Sequence, residues 1–260
     1  MNLPKKSLGQ NFLIDKNVIK KILKLCLIKN KNIIEIGPGG GALTDEILKF
    51  KPKSLTLIEK DDFLAKSLKK KYSDIKFVKV FNEDILKLNL DKIIKKNTII
   101  FGNLPYNISS QILLKIIKCN KWPPNFKNLI LMFQKELGEK IIGKFLTKNY
   151  SRISIVTNLR LSVINKFLVS PNCFRPIPKV NSMVIHFKPK KMLYNLNNIS
   201  SLENVTRIIF SNKRKMINKS IRKILNDKKI SSIKGLNLKN RPENIKPEIF
   251  YKIAKLSEKY

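Results

Sequence analysis

The chain has 260 residues, 43% of them hydrophobic, enough to bury the core of one large domain or of a main domain with a small appendage. Lys and Arg outnumber Asp and Glu by 54 to 18; the net charge of +36 favours a polyanionic partner, nucleic acid or an anionic membrane surface, although A/T-rich codons shared by Lys, Asn and Ile raise Lys as well. The separated Cys26, Cys119 and Cys173 argue against zinc and disulfides, and with no apolar stretch near the roughly 18 residues of a membrane span and no signal-like start, a soluble, cytoplasmic, metal-free protein is expected.

Short apolar runs alternate with amphipathic stretches over the first 190 residues, the pattern of a parallel α/β sheet. Strands are predicted at 32–36, 54–59, 76–80, 98–101, 128–133, 160–168 and 183–187, and helices at 16–29, 42–50, 61–71, 109–119 and 134–144. The last two strands are close in sequence, which predicts an open, mostly parallel, seven-stranded Rossmann-like sheet ending in an antiparallel pair. Residues 188–200 (KPKKMLYNLNNIS) read as a linker, so a main domain over 1–190 and a small helical one over 191–260 are expected. In the latter, Ile217, Ile221, Ile224 and Leu225 share one helical face, while Lys213, Arg214, Lys215, Lys219, Arg222 and Lys223 supply charge. Taken alone, such a basic helix is most simply a solvated surface.

Four stretches carry chemistry. IIEIGPGGGALT is a strand, a glycine turn and a helix, in which Gly37, Gly39 and Gly41 allow positive φ and close approach of a ligand to backbone N–H groups. The turn also satisfies the loose dinucleotide fingerprint, so on its own it leaves the cofactor open. Glu59 ends the next strand, 22 residues after Gly37, where an acid accepts hydrogen bonds from ribose hydroxyls. Asp84, just past the third strand, could accept from the exocyclic amine of a cofactor adenine, with Glu83 as its competitor.

The fourth stretch is GNLPYNISS at 102–110. An adenine amine is a poor nucleophile because its lone pair is delocalised into the ring. The Asn103 side-chain oxygen and the Leu104 carbonyl, aimed at the amine hydrogens, would hold the nitrogen toward tetrahedral geometry and stabilise developing positive charge. Pro105 fixes the backbone that carries this carbonyl, and Tyr106 offers a ring for an extruded base to stack on. No histidine base is required; His186, the chain's single histidine, lies in an alternating strand and reads as structural.

Together these residues resemble the class I S-adenosylmethionine-dependent methyltransferases, and more narrowly the KsgA/RsmA family that dimethylates adenosines in small-subunit ribosomal RNA. KKSLGQNFLID at 5–15 is similar to the family's amino-terminal motif, EIGPGGGALT to its glycine motif, GNLPYNISS to its catalytic motif, and LMFQKE at 131–136 also fits. The resemblance implies that Gln10, Asn11 and Leu13 border the methionine part of S-adenosylmethionine, and that Glu59 and Asp84 contact its ribose and adenine. Asn103 would touch both cofactor and substrate. PNCFRPIPKVNSMVIHF at 171–187 resembles a late motif and implies that Phe174 forms the second wall of a base sandwich with Tyr106. KRKMINKSI and RPENIKPEIFYKIAKL resemble the family's helical appendage, which turns the basic stretch toward RNA contact. The one departure is Gly40 and Gly41, where related enzymes often carry bulkier residues.

The implied reaction is dimethylation of two adjacent adenosines in the 3′-terminal hairpin of 16S rRNA, within the small ribosomal subunit or its precursor, by a protein whose default state is a monomer. Gly102 could leave room for the methylated nitrogen. An Erm-type enzyme acting on 23S rRNA shares the cofactor site, but Leu104, the long PNCFRPIPKVNS segment and the RPEN tail lean toward the small-subunit enzyme. A DNA adenine methyltransferase would usually show Asn-Pro-Pro-Tyr and a target-recognition insertion. A nicotinamide-dependent dehydrogenase leaves Asn103 to Tyr106 idle, and a non-catalytic assembly factor could retain the cofactor site.

Overall fold

The computed structural model describes residues 10–191, 194 and 196–258; residues 5–9 of the amino-terminal motif lie outside them. A short strand β1 (Phe12–Leu13) leads into α1 (Lys16–Leu23), which starts where Asp15 Oδ1 accepts from Val18 N at 2.8 Å. There follow β2 (Asn32–Ile36), α2 (Ala42–Lys49), β3 (Ser54–Glu59), α3 (Asp62–Lys71), β4 (Val78–Asn82), α4 (Leu90–Ile93), β5 (Thr98–Asn103), α5 (Ser109–Ile117), β6 (Phe126–Gln134) and α6 (Lys135–Ile141). After α7 (Arg152–Arg160) come β7 (Leu161–Val169), β8 (Phe174–Arg175) and β9 (Ser182–Pro189), then α8 (Ile199–Phe210), α9 (Asn218–Ile221), α10 (Asp227–Ser231) and α11 (Pro247–Ser257).

Seven strands form one sheet in the order β4-β3-β2-β5-β6-β9-β7. The pairs from β4 through β6 are parallel, and β9 runs antiparallel to β6. Near-continuous burial along β2, β3 and β5 is what a parallel strand covered by helices on both faces demands. Chain order moves outward from β2 through β3 to β4, then returns to β5 on β2's other side. The resulting switch point lies between the carboxyl ends of β2 and β5, where Ile36 pairs with Gly102. A separate two-stranded pair joins β1 to β8, Leu13 opposite Phe174.

The chain divides into two compact units, one of Met1–Gly138 with Ser162–Pro189 and one of Glu139–Leu161 with Lys190–Tyr260. This differs from a single cut after residue 190, because residues 139–161 fold with the carboxyl-terminal helices. Tyr150 donates to Ile245 O at 2.9 Å and Tyr251 donates to Ile155 O at 3.1 Å, both buried bonds. The sequence does not announce α7: Ile153, Ile155, Val156 and Thr157 lose side-chain freedom in a helix, and tertiary burial overrides that propensity. The basic stretch is also not one helix. α8 ends at Phe210, a turn follows, and α9 is a single turn starting at Asn218. Among the described residues, no helix is long and apolar enough to cross a membrane, and no cluster of His, Cys, Asp and Glu could hold a metal ion.

Candidate active site

Two cavities open at the switch point, and they share Phe12, Gly37 and Asn103. The smaller, about 160 Å³, gathers residues far apart in sequence: Gln10 and Asn11 from the amino-terminal segment, Gly37 and Gly39 from the turn after β2, Glu59 from β3, Asp84 after β4, and Asn103 to Pro105 after β5. Leu13 departs from the expected grouping. It lines the larger cavity, about 370 Å³, together with Glu35, Gly40, Gly102 and Met132, and is itself buried.

The glycine turn takes positive φ at Gly37 (69°), Gly39 (57°) and Gly41 (86°), a region costly for any side chain. A Cβ at Gly39 would stand 2.6 Å from the Phe12 ring, and one at Gly41 would collide with the Tyr72 hydroxyl. Gly40 has open space on its Cβ side, so of the consecutive Gly39, Gly40 and Gly41 it is the position that can accept a side chain. From α3's end, Tyr72 donates to Asp45 Oδ1 at 2.8 Å, and Lys71 pairs with Asp45 Oδ2 at 2.6 Å, bracing α2 against this turn.

Glu59 is buried and both its oxygens accept backbone bonds, from Gly39 N at 3.1 Å and Asp61 N at 3.0 Å. Burial pushes its carboxyl above the usual range while these N–H groups pull it back. Asp84 accepts from Leu86 N at 2.9 Å and pairs with Lys60 at 2.9 Å. Partial desolvation would raise its carboxyl, but the Lys60 hydrogen bond, the Leu86 N–H and the nearby lysine charges together hold it below the ordinary value. Glu83 lines the same cavity but is exposed, and its backbone N donates to Glu59 O at 3.0 Å. A carboxylate has about four acceptor sites, so both acids retain capacity for hydroxyl or amine donors. This set of acceptors fits the ribose hydroxyls and adenine amine of S-adenosylmethionine.

Asn103 is the hinge of the arrangement. Its Nδ2 donates to Asn11 O at 2.9 Å, which turns the amide oxygen to the opposite side as an acceptor. Leu104 is buried, Pro105 and Tyr106 are half-buried, and the Tyr106 hydroxyl lies 2.6 Å from Ser182 Oγ at the start of β9. Burial raises the Tyr106 phenol further while the Ser182 bond opposes it, so the ring stays neutral.

Two expectations change. Phe174 is 0% exposed, packed in the cluster of Leu13, Ile19, Val169 and Val184, so here it offers no open face to a base. Pairing of β8 with β1 draws the ring into the core, where burial is worth about 1.5–3 kcal/mol. The space at Gly102 is filled as well, since a Cβ there would meet Leu104 Cδ2 at 2.7 Å and Leu131 Cδ2 at 2.9 Å. One site carboxyl that sequence patterning does not single out is Glu35, 2% exposed next to the carboxyl end of β2, where it accepts from Thr44 Oγ1 at 2.7 Å. A charge interrupting the apolar run of Ile33, Ile34 and Ile36 is the signal that could have found it. His186 is buried, bonds Asn128 at 2.8 Å and lines neither cavity, as a structural histidine should.

The six basic residues expected to meet RNA are all exposed but divide in two. Arg214, Lys215, Lys219 and Lys223 line an open cleft of about 510 Å³, joined by Arg241 and by no acid. Lys213 instead lies 5.7 Å from the Phe210 ring centre, and Arg222 pairs with Asp227 at 3.1 Å.

The strand order, the positive-φ glycine turn and the acids at the ends of β3 and β4 are those of the class I, Rossmann-like methyltransferases. The chain belongs to the ribosomal RNA adenine dimethylase family, whose model matches residues 1–259. A ribosomal RNA small subunit methyltransferase A of Pelagibacter ubique (strain HTCC1062) is 44% identical over 255 residues, 96% of this chain and 95% of that one. The crystal structure of a dimethyladenosine transferase from Plasmodium falciparum shares 27% identity at a TM-score of 0.75, covering 93% of this chain and 95% of the other. The 23S rRNA methyltransferase ErmE, 23% identical with a TM-score of 0.64 over 95% of this chain and 100% of its own, shares the fold.

Proposed function

We propose that the protein dimethylates the exocyclic amines of adenines in small-subunit ribosomal RNA. The observation that carries this reading is the orientation of Asn103: its nitrogen is committed to Asn11 O, so its oxygen is the end available to an amine where two cavities meet. Bound S-adenosylmethionine supplies an electrophilic methyl group on a sulfonium. Gln10, Asn11, Gly37, Gly39, Glu59 and Asp84 would hold it, with Leu13 supporting the amino-terminal segment from beneath.

The residues after β5 act on the substrate. Asn103 Oδ1 and Leu104 O accept from the amine hydrogens and stabilise positive charge on nitrogen as it forms, a task preorganised acceptors perform without reorganisation. Pro105 restrains the backbone, and Tyr106, pinned through Ser182, presents a ring worth about 1–3 kcal/mol in base stacking. The product nitrogen sheds its proton without a dedicated base, in keeping with a buried His186 whose ring is held down to about 4 by desolvation and the Lys188 charge.

The cleft of Arg214, Lys215, Lys219, Lys223 and Arg241 serves as the phosphate-binding surface, with Lys213 and Arg222 at its margin. A small-subunit target is favoured over a large-subunit one by the similarity to small-subunit methyltransferases along nearly the whole chain. Primer extension on both ribosomal RNAs, from cells with and without the gene, tests this. Dimethyladenine blocks reverse transcription, so a stop lost from the small-subunit RNA alone is expected. A stop lost from the large-subunit RNA, or from neither, would defeat the reading.

A further inference from the structure

The loop between β8 and β9 keeps apolar side chains in water while tied down at both ends. Ile177 is 54% exposed and Val180 46%, with Arg175 and Lys179 exposed beside them. At one end Phe174–Arg175 pairs with Phe12–Leu13; at the other Ser182, fully buried, bonds the Tyr106 hydroxyl at 2.6 Å. Pro176 and Pro178 fix two φ angles in between, and Pro178 is buried. Ile14, whose N–H donates to Cys173 O at 2.9 Å, adds a third aliphatic side chain, 45% exposed. Single exposed aliphatics need no explanation, but a pair on a stiffened loop that runs straight into the ring-holding Ser182, with a third beside it, does.

A ring that stacks an extruded base solves half of a problem. A base leaving its stack costs a few kcal/mol, and the gap it leaves must be filled or the base returns. Proteins that unstack nucleic acids fill such gaps with Ile, Leu, Phe or Pro wedges, and hold the distorted backbone with cations. We propose that loop 175–181 is this wedge: Ile177 and Val180 occupy the space vacated by the target adenine, and Arg175 and Lys179 hold the flanking phosphates. The alternation of aliphatic and cationic side chains, in a chain of net charge +36, selects RNA as the partner. The inference rests on the proposed adenine methylation and adds the means by which the base is kept out.

The test uses a short small-subunit RNA hairpin carrying 2-aminopurine at the target position, which brightens on leaving the stack. The native protein brightens it; the Ile177→Ala/Val180→Ala variant should lose most of that gain. Its affinities for S-adenosylmethionine and, within about threefold, for the hairpin should remain, because wedge and phosphate contacts contribute separately. With adenine restored, kcat on the hairpin should fall about tenfold, a barrier change near 1.4 kcal/mol, while kcat on an unpaired strand of the same sequence holds. Unchanged brightening, or equal loss on both RNAs, overturns the wedge. Arg175→Gln with Lys179→Gln should lower the slope of log affinity against log salt by about two, and an unchanged slope overturns the phosphate assignment. A native protein that methylates neither RNA would instead strike the proposed function itself.

Discussion

The cavities at the switch point and the cleft of the second unit both collect polar residues from distant parts of the chain, but they do so by different physics. Around the cavities nearly every functional group is held by another: Asn103 by Asn11, Glu59 by Gly39, Tyr106 by Ser182, Asp84 by Lys60. Around the cleft the cations are exposed and face no acid in its lining. The first arrangement fixes atoms to fractions of an ångström, as bond-making at a weak nucleophile requires. The second supplies field, and a field tolerates side chains that move. Substitutions should therefore fail abruptly at the cavities and gradually at the cleft.

The largest effect is expected at Asn103. Asn103→Ala removes one of two acceptors for the amine and should lower kcat about 10²–10³-fold, with RNA affinity measured by filter binding nearly unchanged. A variant that retains methyl transfer would remove Asn103 from the chemistry.

Next comes the pH dependence carried by Glu35. Burial pushes its carboxyl up to about 8; the Thr44 bond opposes this, and the charges of Asp45 and Glu59 add to it. An unfolded Glu releases its proton near pH 4.3, so from about 4.3 to about 8 the folded chain holds a proton that the unfolded chain has lost. Stability is thus fully present below that window and falls as pH rises through it, by up to about 5 kcal/mol. Urea unfolding at stepped pH should show this fall, and Glu35→Gln should flatten it. A variant with the native slope would place the proton elsewhere.

A smaller loss follows from the glycine turn, where neighbouring positions should behave oppositely. Gly41→Ala forces a side chain into left-handed backbone against the Tyr72 hydroxyl and should cost about 1–3 kcal/mol of stability, with weaker cofactor binding. Gly40→Ala meets nothing within 4 Å and should stay within about 0.5 kcal/mol of native. Thermal melts of the two variants, with and without S-adenosylmethionine, check the pair; equal melting temperatures would contradict the geometry.

What the sequence made legible follows the same divide. The strands around the switch point were readable because buried parallel strands are unbroken apolar runs, and their carboxyl ends were marked by Gly37, Glu59 and Asn103. Partners supplied by backbone atoms were not readable: nothing in the residue types says that Asn11's carbonyl orients Asn103, or that Tyr72 fills the space Gly41 leaves. The burial of Phe174 was not readable for a related reason, since an aromatic beside Arg-Pro looks the same whether it faces a ligand or a core. The helix α7 was hidden by its β-branched residues, and the basic stretch read as one helix because its apolar spacing continues through a turn.

The cleft tests the gradual half of the comparison. Arg214, Lys219 and Arg241 come from two segments of the second unit, and only the fold brings Arg241 into their company. If all three neutralise phosphates, Arg214→Ala, Lys219→Ala and Arg241→Ala should each weaken RNA binding by a similar few-fold factor at every sequence tested. Each should also reduce the slope of log affinity against log salt by about one. Arg222 shares its charge with Asp227, so Arg222→Ala should change the slope less than Lys219→Ala does. Fluorescence anisotropy across a salt series distinguishes the four variants. A single substitution that abolished binding outright would mean that the cleft positions its ligand as strictly as the cavities do, and the contrast between the two regions would fail.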